Sequence, residues 1–180
     1  MRTTHLAFTC CLALSGCSTA APPTANLETL LDAIERRLDL AEAVALHKWD
    51  RGQPVQAVER EQQVLTSARQ AATAYQLDPA RAEAFFADQI EASKLLQYYL
   101  LDSWHRERQA PDRPRRDLGQ DVRPTLDRLQ AQLLVALARF DQSASINCPG
   151  YLADALQRRT HEATRHLALI RATGQLCKMR

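Results

Sequence analysis

Glycine is scarce in this sequence: five in 180 residues, none in a GxGxxG or GxxxxGK pattern. That excludes the usual phosphate-cradling loops of nucleotide-binding α/β folds. Charge of one sign is lacking too. The net formal charge is +2 and no long basic stripe exists, which argues against a nucleic-acid partner. The short run Arg113, Arg115, Arg116 lies among prolines and reads as a solvated loop. No GxSxG is present, and His47, His105, His161 and His166 share no metal-ligand spacing. Those histidines read as surface or internally satisfied side chains, and no metal or cofactor is expected.

Proline is confined to places that look like boundaries: Pro22, Pro23, Pro54, Pro79, Pro111, Pro114, Pro124 and Pro149. Proline lacks an N–H and clashes with the preceding helical turn, so helix interiors exclude it. Between these positions run Leu/Ala/Gln/Arg-rich stretches, which implies about five helices. Apolar residues make up 46% and charged residues 24%, ordinary values for one globular domain with its own core.

The first 20 residues form a signal peptide, ahead of a folded domain over 26–180. Arg2 supplies the positive end, and residues 6–14 are an apolar run too short to span a membrane permanently. Two processing outcomes stay open. Ser18-Thr19-Ala20 suits ordinary cleavage, giving a periplasmic or secreted protein. Leu14-Ser15-Gly16-Cys17 resembles a bacterial lipobox, and lipidation of Cys17 would be the one route to a membrane. Cys10 and Cys11 leave with the signal. Cys148 and Cys177 remain, in a compartment where disulfides persist. A bridge is expected over two free thiols, worth about 3–4 kcal/mol in the chain-entropy model.

Apolar spacing predicts helices over 27–49, 55–75, 79–106, 122–140 and 151–177, with loops at 107–117 and 141–150. Asp78-Pro79 reads as an N-cap followed by proline at the first helical position. A straight helix over 151–177 would hold the two cysteines about 40 Å apart. A bridge therefore demands a break, expected between Arg158 and Thr164.

Polar residues interrupt several apolar stripes. Eleven positions separate Arg37 from Lys48, which on one continuous helix puts both on the core-facing side, about 16 Å apart. Ala41 and Ala45 between them would leave room for a ligand. Arg60 shares a face with Val64, Ser67 and Ala71, beside Glu61. Ser93 and Gln97 lie one turn apart on the stripe of Phe86, Ile90, Leu100 and Trp104. Buried cations, amides and hydroxyls need partners. Each group could be a snorkelling or internally satisfied side chain; three helices doing the same thing point to a pocket for an anion.

These residues carry a resemblance. Arg37-Leu38-Asp39 through Lys48-Trp49, then Pro54-Val55, Arg60-Glu61-Gln62-Gln63 and Asp88-Gln89-Ile90-Glu91-Ala92-Ser93-Lys94 through Gln97 resemble the all-helical chorismate mutases. Asp117-Leu118, Val122-Arg123-Pro124 and the late cysteine pair resemble the exported branch of that class. The resemblance implies a single-domain, all-α bundle of about five to six helices. It also implies an isomerase that turns chorismate into prephenate without cofactor. Arg37, Lys48, Arg60 and Gln97 would be catalytic, and Ser93, Glu61 and Arg123 substrate-binding. In detail, Arg37, Arg60 and Ser93 would hold carboxylates, Lys48 and Gln97 would address the ether oxygen, and Glu61 would hold the ring hydroxyl. Arg123 would replace an arginine that short dimeric members take from a partner chain; homodimerisation is left open. One departure is Ala57, where short members carry an acid, which weakens hydroxyl recognition. A non-catalytic bundle binding an anionic metabolite is the competing reading.

Overall fold

The computed structural model describes residues 23–143 and 147–178. The signal segment and Cys17 lie outside the described residues. The elements run α1 (Pro23–Leu38), α2 (Ala41–Arg51), α3 (Val58–Ala71) with a 3-10 turn (Ala72–Tyr75), α4 (Pro79–Glu107), a π-helical turn (Leu118–Val122), α5 (Arg123–Ser143), α6 (Cys148–Arg159) and α7 (Ala163–Ala172). No strand occurs among the described residues. The all-α reading holds, but two of the expected helices are each divided.

The first division corrects the single helix over 27–49. It breaks at Asp39 and Leu40, where the Leu40 N–H bonds back to the Arg37 carbonyl at 3.3 Å. Neither residue breaks helices by itself. Arg165 of α7 donates to the Glu35 carbonyl at 3.1 Å and to Asp39 Oδ1 at 2.6 Å, so a tertiary contact sits at the break. Arg37 and Lys48 consequently belong to different helices. The second division was required by the bridge: α6 ends at Arg159 and α7 starts at Ala163, capped by Glu162, which accepts from the N–H groups of Thr164 and Arg165. Cys148 and Cys177 are bonded, with Cα atoms 5.6 Å apart.

The long spine is α4, 29 residues and about 43 Å. Its start was legible: Asp78 accepts from the Arg81 N–H at 2.9 Å, with Pro79 at the first position. It packs on α3, α2 and α7, while α1 packs mainly on α5. The main core joins Leu30, Leu31, Ile34 and Leu38 of α1 to Phe85 and Phe86 of α4, to Leu133, Leu134 and Leu137 of α5, and to Leu169 of α7. Two buried polar residues of α4 pin the C-terminal segment. Gln89 Nε2 donates to the Ala172 carbonyl at 2.7 Å, and Asp88 accepts from the Gln175 N–H at 2.7 Å and from Arg171. The ends of α1 and α2, the start of α3 and the middle of α4 meet beside the first turns of α5.

Candidate active site

At that meeting point a cavity of about 110 Å³ is lined by Arg37, Lys48, Arg60, Glu61, Ser93, Lys94, Gln97 and Asp127, with apolar walls from Val44, Val55, Val64, Ile90 and Leu126. Every polar residue expected from the sequence is present except Arg123. A larger groove of about 450 Å³ lies beside the disulfide. Its arginine, Arg81, is already bound to Asp141 and to the Gln175 and Leu176 carbonyls, so it offers no unsatisfied charge.

Arg37 sits in the last turn of α1, where the helix dipole favours a cation. It is buried, its guanidinium lies 6.0 Å from the centre of the Phe86 ring, and its Nε has no hydrogen-bond partner among the described residues. Burial, and secondarily the neighbouring Arg60, pull its pKa down to about 10, with Asp127 opposing. It therefore stays charged at neutral pH. A buried cation without an anionic partner is costly, and such sites are completed by a ligand.

Lys48, also buried, reaches in from α2. Its Nζ donates to the Val55 carbonyl and, at 2.9 Å, to Gln97 Oε1. Gln97 Nε2 donates in turn to Ser93 Oγ at 3.0 Å. An amide nitrogen carries two hydrogens, so one Gln97 N–H and the Ser93 hydroxyl hydrogen remain to meet a ligand. Burial lowers the Lys48 pKa to about 8; Glu61 works against this and Lys94 adds to it. The small residues expected to make room do not line the cavity. Ala41 and Ala45 are fully packed in the core, and Val44 faces the site in their place.

Glu61 is more committed than its expected role requires. Oε1 accepts from the Ala57 N–H at 2.9 Å, satisfying a free donor at the start of α3, and Oε2 meets Lys94 Nζ at 3.2 Å. Lys94 also pairs with Glu91 at 2.7 Å, and these carboxylates hold its pKa up against the cost of its burial. Arg60 Nη2 donates to Asp127 Oδ1 at 2.8 Å. Arg123 is exposed and stands outside the cavity lining. It begins α5, one turn before Leu126 and Asp127 and on their face of the helix. Lys94 and Asp127 were given no role from the sequence. The signal for Lys94 was its adjacency to Ser93; for Asp127 it was a spacing of four from Arg123.

Four cations (Arg37, Lys48, Arg60, Lys94) and two carboxylates (Glu61, Asp127) line one small cavity, with Glu91 behind Lys94. The lining is net positive, which suits an anion.

The model of type II chorismate mutases matches residues 28–98, the stretch holding Arg37, Lys48, Arg60, Ser93 and Gln97. The crystal structure of a chorismate mutase from Burkholderia phymatum is similar at 36% identity with a TM-score of 0.82, over 87% of this chain and 99% of that one. This chain belongs to the chorismate mutase family. A secreted chorismate mutase of Mycobacterium tuberculosis is 29% identical over 166 residues, covering 88% of this chain and 81% of that protein. A secreted chorismate mutase from Yersinia pestis shares the fold at 20% identity, with a TM-score of 0.70 over 85% of this chain and 98% of that one. The family is all-helical, and the chain is an enzyme of that family, with the cavity between α1, α2, α3, α4 and α5 as its candidate active site.

Proposed function

We propose that the chain isomerises chorismate to prephenate in this cavity. The observation that carries the reading is the buried Arg37 guanidinium, without a hydrogen-bonding partner at Nε, in a cavity whose lining is net positive. Chorismate is a dianion whose rearrangement breaks one C–O bond as one C–C bond forms. No proton is transferred and no nucleophile is needed, so the enzyme must fold a flexible molecule into a compact chair and stabilise charge growing on the ether oxygen.

The residues divide that work. Arg37, Arg60 and Ser93 hold carboxylates. Lys48 and the free N–H of Gln97 address the ether oxygen from a fixed network, so little reorganisation is needed as charge develops. Val44, Val55, Val64, Ile90 and Leu126 keep the surroundings apolar, which strengthens each charged contact. Glu61, held by Lys94, receives the ring hydroxyl on a remaining lone pair. Arg123 closes on a carboxylate at the cavity of its own chain. Arg123 would thereby fill, within one subunit, the role that a partner's arginine fills in short dimeric members.

The reading places the enzyme outside the cytoplasm as a soluble protein, cleaved near Ala20. The secreted relatives and the Cys148–Cys177 bond support export. Mass spectrometry of the mature N-terminus distinguishes this from lipidation at Cys17. The activity is tested by adding purified protein to chorismate and following its ultraviolet absorbance as prephenate forms. Catalysed loss of chorismate with prephenate as product is expected. Binding of chorismate with no rearrangement would leave only the anion-binding function.

A further inference from the structure

Of the two carboxylates facing the cavity, Glu61 is fixed by its own helix terminus and by Lys94. Asp127 is held differently. It comes from α5, and its one side-chain bond among the described residues is to Arg60 of α3 at 2.8 Å. Its side chain is 60% exposed and that of Arg60 34% exposed, so the pair is wet and cheap to open. Arg37 lies close enough to feel both charges, repelled by Arg60 and favoured by Asp127. The cavity thus presents two guanidinium groups and one exposed carboxylate, where the functional reading puts a ligand carboxylate.

We propose that Asp127 is a specificity-determining residue of this site: a built-in counter-ion that occupies Arg60 when the cavity is empty and competes there with a carboxylate of substrate or product. This rests on the functional reading above. Asp127 spares the empty enzyme two adjacent unpaired guanidinium groups, and it weakens the hold on any ligand whose carboxylate must take its position. A ligand with two carboxylates recovers the loss by engaging Arg37 as well, whereas one with a single carboxylate does not. The same competition helps the product leave, because a released Arg60 has a partner waiting.

The test compares wild type, Asp127→Asn, Asp127→Glu, Arg60→Gln and the double variant Arg60→Gln/Asp127→Asn, measuring KM for chorismate and the inhibition constant of prephenate at low ionic strength. Wild-type turnover of chorismate is established first; its absence would refute the functional reading. Given turnover, Asp127→Asn is expected to lower both constants about two- to fivefold, since one solvent-exposed charge contact is worth up to about a factor of five. Asp127→Glu is expected to stay near wild type. The benefit should shrink below about twofold in the Arg60→Gln background, because the competition acts through Arg60. Unchanged constants in Asp127→Asn would reduce the pair to a solvated surface contact and overturn the proposal. A raised KM would show Asp127 positioning Arg60 for substrate, and also overturn it. An undiminished gain in the double variant would show a general field effect and exclude competition at Arg60.

Discussion

Lys48 Nζ and Gln97 Oε1 lie 2.9 Å apart, joining α2 to the middle of α4 across 49 positions of sequence. The contact orients the amide: its carbonyl faces the ammonium and its nitrogen faces Ser93 and the cavity. In Gln97→Glu the new carboxylate would sit against Lys48 and stay ionised, leaving no hydrogen to donate at neutral pH. That variant is expected to lose most turnover at pH 7 and to recover part of it in acid, read from kcat against pH. Wild-type-like turnover at pH 7 would remove Gln97 from the ether oxygen.

The wild-type pH profile follows from Lys48. From the sequence, a glutamine and a lysine in this role imply a flat profile into mild alkali. The structure changes this, because burial brings Lys48 to about 8. Its charge is present below that pH and lost above it. Since kcat/KM reports the free enzyme, it should be level from mildly acidic pH to about neutrality and fall as pH rises past 8. A bound dianion favours the charged amine, so the fall in kcat should lie at higher pH. At pH 8.5 ligand binding should take up protons, measurable by calorimetry in buffers of different ionisation enthalpy.

Arg37→Met separates function from stability. The substitution removes a buried charge whose Nε has no hydrogen-bond partner among the described residues, and replacing such a charge by an apolar side chain of similar length is often neutral or stabilising. The thermal midpoint should be unchanged or raised by about 2–4 °C, while kcat/KM falls by a factor on the order of 10² to 10³. A large drop in the midpoint would make Arg37 a structural residue.

Arg123 is exposed and outside the cavity lining, so its contribution should be smaller than that of the buried cations. Arg123→Ala is expected to raise KM about fivefold, with less effect on kcat. Mixing it with Arg37→Ala protein should restore no activity beyond the sum of the two, because Arg123 is proposed to serve the cavity of its own chain. Recovery on mixing would show sites shared between chains.

Much of the site was legible because its residues break a pattern. Lys48, Ser93 and Gln97 are polar residues in apolar stripes, and Asp78-Pro79 announces the start of α4 from local chemistry alone. The break at Asp39 and Leu40 was not legible. No proline or glycine marks it, and Arg165, which binds there, lies 126 positions away. The same limit applies to Asp127 and Lys94, whose roles depend on Arg60 and Glu61 across the bundle. The division of the last helix was accessible only because the geometry of a Cys148–Cys177 bond forbids a straight one.

The central claim is that charge developing on the ether oxygen is met by Lys48. It is tested by comparing kcat/KM of wild type and Lys48→Ala for chorismate at pH 7, with helical content checked by far-ultraviolet circular dichroism. Loss of a charged donor in a water-poor site should cost about 3–4 kcal/mol, a reduction of 10² to 10³, with the helical signal preserved. A folded Lys48→Ala protein that turns chorismate into prephenate at the wild-type rate would contradict the account.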